Sequence, residues 1–171
     1  MTVCSVRAQQ IDSATHHALG LGLAGGVTLQ GSIIWGHNRL EPGLSLDLLH
    51  DDYSDGLRYS RTSPTLSLGF YHNRKLDEDF TFYVGPQLRL GVDVHTYSIE
   101  HARFYLTPGF YIKLGTEFAI IPELTIAGEI SAGVTVTNPP FTIPSTWYEG
   151  KAEQWVYDIS TTTGMVVRYY F

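Results

Sequence analysis

The sequence contains no stretch of about 20 apolar residues, which is the length that a membrane-spanning helix requires. Helical spans are therefore excluded, whereas membrane-spanning strands are not, because each such strand carries only a weak signal. The single cysteine, Cys4, excludes an internal disulfide framework. The net charge is −6 and no basic run occurs, so nucleic acid is not an expected partner.

Motifs for catalysis and for metal binding are also missing. The sequence has neither a G-x-S-x-G motif nor a phosphate-binding loop. The adjacent residues His16 and His17 point to opposite faces of a strand, so they make a poor pair of metal ligands. The stretch His50-Asp51-Asp52 contacts a cation in an outer loop or, as Asp-rich turns usually do, forms a solvated turn. We expect no catalytic residue, no metal and no cofactor.

The residues that are present favour an all-β chain. Charged residues make up 16% of the 171 residues, aromatic residues make up 13%, and there are 17 glycines. This length suits a single domain, which we place at residues 15–171. Residues 1–14 are expected to be a disordered leader or the remnant of a signal peptide, with Val6-Arg7-Ala8 as the small-residue end of such a signal.

Eight segments with alternating apolar and polar residues follow one another from about residue 15, separated by turn residues. We predict strands at Thr15–Ala24, Val27–Gly36, Leu44–Leu49, Leu57–His72, Phe80–Tyr97, Arg103–Ile120, Leu124–Thr137 and Tyr157–Phe171. The stretch HNRLEPG, residues 37–43, is predicted to be a turn, and NRKLDED, residues 73–79, another. A long loop, residues 138–154, precedes the last strand. Bulges are expected at Gly85-Pro86 and Pro108-Gly109, because proline cannot donate a ladder hydrogen bond.

The alternation separates an apolar face from a polar one in every long segment. Leu124, Ile126 and Ile130 share one face of the seventh segment, whereas Thr125 and Glu129 share the other. The polar faces hold mainly Tyr, Thr, Ser, Gly and Gln with few charges, whereas a solvated surface usually carries more Lys and Glu. The apolar faces are continuous, and aromatic residues stand at their ends, as in a lipid-facing band. The pattern therefore predicts an eight-stranded antiparallel up-and-down barrel with its apolar face toward lipid.

The last residues, TTTGMVVRYYF, carry the most specific signal. Met165, Val167, Tyr169 and Phe171 lie on one side of an extended strand, and Arg168 lies on the other. A strand of this kind resembles the closing strand of small bacterial outer-membrane β-barrels. The resemblance implies location in a Gram-negative outer membrane, contact with its lipid, and recognition of Tyr169 and Phe171 by the barrel-insertion machinery. It implies a porin-like fold without naming an activity.

In a barrel of this orientation the charged residues face a narrow lumen, where each must be paired. We predict a network of inward charges with Glu129, Lys113, Glu117 and Arg168 near one another. Its members are Asp47, Arg61, Arg89, Asp93, Lys113, Glu117, Glu129 and Arg168. We favour a cohesive role for this network over a catalytic or proton-conducting one, and tyrosine and arginine side chains are expected to fill the interior.

The expected role is structural or surface-binding, through the outer loops, with an unknown extracellular ligand. Trp147, Tyr148 and Trp155 belong either to a binding surface or to the outer aromatic belt. Two alternatives remain. A soluble lipocalin-like barrel would carry its charges outside. A lipid A-modifying enzyme would need a Ser–His pair at the lipid face; His17 and His72 could face lipid, but no serine is obviously beside either.

Overall fold

The computed structural model describes residues 15–24, 26–52, 58–97, 101–137 and 155–171. These residues form a closed barrel of eight antiparallel strands, in which each strand pairs with its sequence neighbours and β1 pairs with β8. The strands are β1 His16–Leu23, β2 Val27–Trp35, β3 Asn38–Asp52, β4 Arg58–Lys75, β5 Phe80–Tyr97, β6 His101–Ile121, β7 Leu124–Thr137 and β8 Val156–Tyr170. The predicted eight-stranded fold is confirmed. Among the described residues, no helix is long and apolar enough to cross a membrane. The predicted leader, residues 1–14, lies outside the described ranges.

The register around the ring is strongly staggered. When the paired residues are followed from Gly20 of β1 through β2 and each later strand in turn, the last one reached is Asp158 of β8. Gly20 itself pairs directly with Arg168 of β8, which lies ten residues further along that strand. A stagger of this size tilts the strands by about 40° from the barrel axis. It also leaves an interior that side chains can fill.

The two ends of the barrel differ in their connections. At one end, here called the turn end, β2 and β3 are joined by Gly36 and His37, β4 and β5 by residues 76–79, and β6 and β7 by Pro122 and Glu123. Gly36 adopts a φ of 56°, a conformation that glycine tolerates well in such a short turn. The opposite end, here called the loop end, carries the connections at residues 24–26, 53–57, 98–100 and 138–155.

One predicted turn is wrong, and another is shorter than predicted. HNRLEPG is not a turn, because β3 begins at Asn38 and runs straight through Pro42 and Gly43. The predicted turn at 73–79 is confirmed only for residues 76–79, because β4 continues to Lys75. The third strand is thus 15 residues long, not the short segment Leu44–Leu49. Arg39 and Glu41 therefore belong to a strand of the barrel, and their side chains are buried in the lumen.

The predicted proline bulges are also wrong. The pairing of β5 with β6 keeps one register through Gly85-Pro86 and Pro108-Gly109. A register shift occurs instead between Ala119 and Ile121, next to the tight turn at the end of β6. Proline is accommodated here without an extra residue in the strand.

The faces of the strands have the orientation that the alternation predicts. Leu21, Leu66 and Phe110 point outward and remain exposed, whereas Lys113 and Arg168 point inward and are buried. Exposed aromatic residues gather near the turn end, namely Trp35, Phe70, Phe80, Phe118, Tyr169 and Phe171. An apolar exterior with an aromatic girdle and charges inside is the arrangement of a barrel in lipid. The alternative of a soluble lipocalin-like barrel, which needs the opposite arrangement, is therefore wrong.

Candidate functional site

Six charged side chains meet in the lumen toward the turn end and are here called the lumen cluster. Its members are Arg39 and Glu41 of β3, Lys113 and Glu117 of β6, Glu129 of β7 and Arg168 of β8. Strands on opposite sides of the ring contribute to it, so its geometry depends on the closure of the whole barrel. Three cations balance three carboxylates, as a buried group of charges requires.

Four members of the lumen cluster form a closed ring of alternating charge. Lys113 Nζ lies 2.5 Å from Glu41 Oε1 and 3.0 Å from Glu129 Oε2. Arg168 Nη2 lies 3.0 Å from Glu41 Oε2 and 2.5 Å from Glu129 Oε1. Each carboxylate thus contacts both cations, and each cation contacts both carboxylates. This arrangement compensates the loss of hydration better than isolated pairs would.

Glu117 extends the lumen cluster toward the turn end. Its Oε2 accepts a hydrogen bond of 2.7 Å from Arg39 Nη2 and lies 3.5 Å from Arg168 Nη1. Its Oε1 accepts a hydrogen bond of 2.6 Å from Thr125 Oγ1 and another from the Tyr170 hydroxyl. Arg168 therefore joins the charge ring to Glu117, and it is the member with the most partners.

Tyrosine rings fill the space around these charges. Tyr71 and Tyr83 are fully buried, with ring centroids 5.6 Å apart. The guanidinium of Arg39 lies 4.5 Å from the centroid of Tyr83, and Lys113 Nζ lies 5.0 Å from that of Tyr71. The Tyr83 hydroxyl donates to Glu129 Oε1 at 2.5 Å. Charges and rings therefore pack against one another at this level of the barrel, and all of them are buried or nearly so.

The structure brings four of the eight predicted lumen residues together in this cluster, namely Lys113, Glu117, Glu129 and Arg168. Sequence reasoning missed Arg39 and Glu41, which were assigned to a turn. The signal was present, because Arg39, Glu41 and Gly43 alternate with Leu40 and Pro42 in the same period of two. The Pro-Gly pair, a common mark of turns, obscured it.

The other four predicted residues lie nearer the loop end. Arg61 Nη2 pairs with Asp93 Oδ2 at 2.8 Å, separately from the lumen cluster. Arg89 bonds to neutral groups, Gln87 Oε1 at 2.9 Å and Ser131 Oγ at 2.8 Å. Arg89 also lies 4.0 Å from the ring centroid of Tyr111. Asp47 is exposed and makes no ion pair with any residue that the structure describes.

Between the lumen cluster and the loop end, the lumen holds a cavity of about 450 Å³, which Asp47, Arg61, Arg89 and Asp93 also line. Lys113 and Glu129 lie at its floor, and hydroxyl groups dominate its wall. These hydroxyls belong to Ser45, Ser63, Ser67, Ser131, Ser160, Thr28, Thr65, Thr107, Thr135, Thr137, Thr162, Thr163 and Tyr111. The cavity is therefore suited to water or to a polar, hydrogen-bonding guest.

The remaining predicted residues lie outside the lumen. Trp147 and Tyr148 fall in residues 138–154, which are outside the described ranges. Trp155 directly precedes β8, and 54% of its surface is exposed. Tyr169 and Phe171 point outward, and the ring of Phe171 stacks on His17 with centroids 6.3 Å apart. Their role in assembly stays a prediction.

Among the described residues, neither histidine considered for a lipid A-modifying enzyme has a serine partner. His17 stacks on Phe171, and His72 lies beside His37 with ring centroids 5.7 Å apart. Within the described ranges, no group of three or more His, Cys, Asp or Glu side chains could hold a metal ion. The described residues around His17 and His72 therefore do not supply the nucleophile that acyl transfer would need.

No protein-family model matches the chain, and no curated protein matches its sequence. Solved structures of outer-membrane proteins do share its fold. The major outer membrane protein from Thermus thermophilus is 14% identical with a TM-score of 0.52, and the match covers 92% of this chain and 100% of that one. Neisserial surface protein A is also 14% identical with a TM-score of 0.52, over 92% of this chain and 94% of the other.

The shared fold and the distribution of side chains define the class of protein. The chain has the eight-stranded antiparallel fold of bacterial outer-membrane barrels. Its exterior is apolar and its charges are inside, which is the arrangement of a barrel that spans a membrane.

Proposed function

We propose that this protein is a non-enzymatic outer-membrane barrel that does not conduct, and that binds at the cell surface through its loop end. The lumen cluster carries the proposal. Its charges are paired, and tyrosine rings pack against them. A solute crossing the barrel would have to break several buried ion pairs at once, and breaking one costs about 3–5 kcal/mol.

The surface-binding part of the proposal rests on the asymmetry of the two ends. Two-residue turns close the turn end at Gly36-His37 and Pro122-Glu123. The loop end carries the connection between β7 and β8, whose sequence holds Trp147 and Tyr148. Aromatic residues are enriched in binding surfaces, and long loops of outer-membrane barrels face the medium.

Conductance across planar bilayers tests the closed lumen. We expect the refolded protein to give no steps above the background of protein-free membranes. The double variant Lys113→Ala, Arg168→Ala removes both cations of the charge ring and should raise the frequency of conducting events. Steady conductance by the unaltered protein would contradict a closed lumen.

Cysteine labelling on intact cells tests the orientation. In a Cys4→Ser background, Ser145→Cys in the β7–β8 connection should react with a membrane-impermeant maleimide. The matched variant Glu123→Cys, in the exposed turn between β6 and β7, should react only after the outer membrane is permeabilised. Equal reaction of both positions on intact cells would refute a surface role for the loop end.

A further inference from the structure

In the described barrel, β1 and β2 are the shortest strands, so the wall that they form extends less far toward the loop end than the rest. Leu23 is the last residue of β1 and pairs with Met165, and Val27 is the first residue of β2 and pairs with Leu46. β8 extends nine residues beyond this point, over 156–164, without a partner on the β1 side. β3 likewise extends six residues, over 47–52, without a partner on the β2 side.

The two free edges do not close on each other. No Cα atom of β3 lies within 8 Å of a Cα atom of β8. The part of the chain that the structure describes therefore leaves a gap, here called the notch, between residues 47–52 and 156–164 above the β1–β2 hairpin. With a rise of about 3.3 Å per residue and a tilt of about 40°, six residues correspond to a depth of about 15 Å.

Exposure of inward-facing residues marks the notch independently of the pairing. Leu49 of β3 and Val156 of β8 have the lumen-facing register, yet they are 47% and 56% exposed. On the opposite wall, the inward-facing Tyr105 and Thr107 of β6 are more deeply covered. In the part of the chain that the structure describes, the interior is thus accessible from the side at the notch.

The notch joins two different chemical environments. Outside it, exposed apolar side chains such as Leu23, Val27 and Leu48 face lipid. Inside it lies the hydroxyl-lined cavity, where Asp47 and Asp158 make no ion pair with any described residue. The unpaired strand edges need hydrogen-bonding partners, which the hydrocarbon core does not provide, so the notch fits the headgroup level of the bilayer.

We infer that the notch admits the headgroup of a membrane lipid sideways into the cavity, and that this headgroup is uncharged and rich in hydroxyl groups, as a glycosyl group is. Ser45, Ser160 and Thr162 can donate and accept hydrogen bonds to such a group, and Asp47 and Asp158 can accept them. Asp47 and Asp158, which make no ion pair with any described residue, stand at the two edges of the notch. The cations that line the cavity are Arg61 and Lys113, each held by carboxylates, and Arg89, which bonds to Gln87 and Ser131. A phosphate entering at the notch would therefore meet carboxylates first, which repel it. A cavity of about 450 Å³ lies within the range of small-molecule sites.

This inference rests on the proposed location of the barrel in a membrane, but not on the proposed binding by the loops. Headgroup entry and surface binding can therefore be refuted separately. The test uses Ser160→Cys in a Cys4→Ser background, labelled with bimane and refolded into phosphatidylcholine vesicles. Ser160 borders the notch, and Thr107→Cys on the opposite wall is the matched control position. Three nitroxide quenchers are compared: an alkyl glycoside with the nitroxide on the sugar, a phosphocholine lipid with the nitroxide on its headgroup, and the free nitroxide sugar.

We expect the alkyl glycoside to quench bimane at Ser160→Cys several-fold more than the other two quenchers, and more than it quenches bimane at Thr107→Cys. Thr28→Phe, at the foot of the notch, should reduce this quenching, whereas Leu66→Phe on the lipid face should not. Equal quenching by the phosphocholine lipid would refute the headgroup chemistry. Equal quenching by the free sugar would refute entry from the membrane, and equal quenching at both positions would refute the notch as the route. Heat-dependent gel mobility verifies that each variant is folded.

Discussion

The two halves of the lumen are filled in different ways. Toward the turn end, the interior is occupied by the lumen cluster and by Tyr71 and Tyr83, all of them buried or nearly so. Toward the loop end, hydroxyl groups surround a cavity, and the side chain of Arg61 is 41% exposed. One half is therefore built from compensated charges and the other from side chains that exchange hydrogen bonds readily with water.

The difference between the two halves shows where buried charges are stabilised by fixed partners and where their burial would be costly. A charge out of water needs several fixed partners, and the staggered strands supply them only where side chains from both sides of the ring meet. A hydroxyl group in a hydrated cavity needs no fixed partner, because water satisfies it. The turn end should accordingly dominate the stability of the barrel, whereas the loop end remains available for binding.

The largest effect is expected from Arg168→Met. The substitution leaves Glu41, Glu117 and Glu129 with two cations, and it removes the side chain that joins the charge ring to Glu117. We expect the free energy of unfolding to fall by about 3–5 kcal/mol, as when one partner of a buried ion pair is removed. Urea titration of the protein in lipid vesicles, followed by tryptophan fluorescence, measures this loss.

Arg61→Met is the matched control for the loop end. Arg61 also pairs with a carboxylate, at 2.8 Å from Asp93, but its side chain is 41% exposed and lines the cavity at the loop end. We expect a loss of about 1 kcal/mol or less. Equal losses for the two variants would show that the halves of the lumen do not differ in the way described here.

Much of the fold could be predicted from the sequence, because a period of two is a local property. In β5, β6 and β7 the alternation continues over the whole strand, and the structure has the predicted faces. The prediction failed at β3, where Pro42 and Gly43 have local preferences for turns. Pairing with β4 on one side, through Pro42 and Leu68, outweighs that preference.

The partners of each charge could not be predicted in full, because they depend on the stagger of the ring. Inward direction follows from the alternation, but Arg168 meets Glu41 only because β3 and β8 reach the same level of the lumen. Asp47 shares the inward face of β3 with Glu41, yet it lies beside the notch and makes no ion pair with a described residue. The alternation along the sequence predicts whether a side chain points inward or outward, but not its position along the barrel axis.

A smaller effect is expected from Gly115→Ala, which tests how tightly the turn end is packed. Tyr83 lies over Gly115 of the neighbouring strand, and an added Cβ would overlap its Cζ atom. The ring would have to shift, and its hydroxyl bonds to Glu129 and Arg168 would lengthen. Overpacking of this kind costs about 1–3 kcal/mol. Gly128→Ala on the lipid face is the control, since nothing lies within 4 Å of the added Cβ.

The same urea titration measures both glycine variants, and Gly128→Ala should change the free energy of unfolding by about 0.5 kcal/mol or less. A loss for Gly115→Ala as small as that of the control would mean that the Tyr83 ring moves aside freely. The hydrogen bonds from Tyr83 to the lumen cluster would then not hold the ring in place. In that case the charges alone, without the tyrosine packing, would account for the difference between the two halves of the lumen.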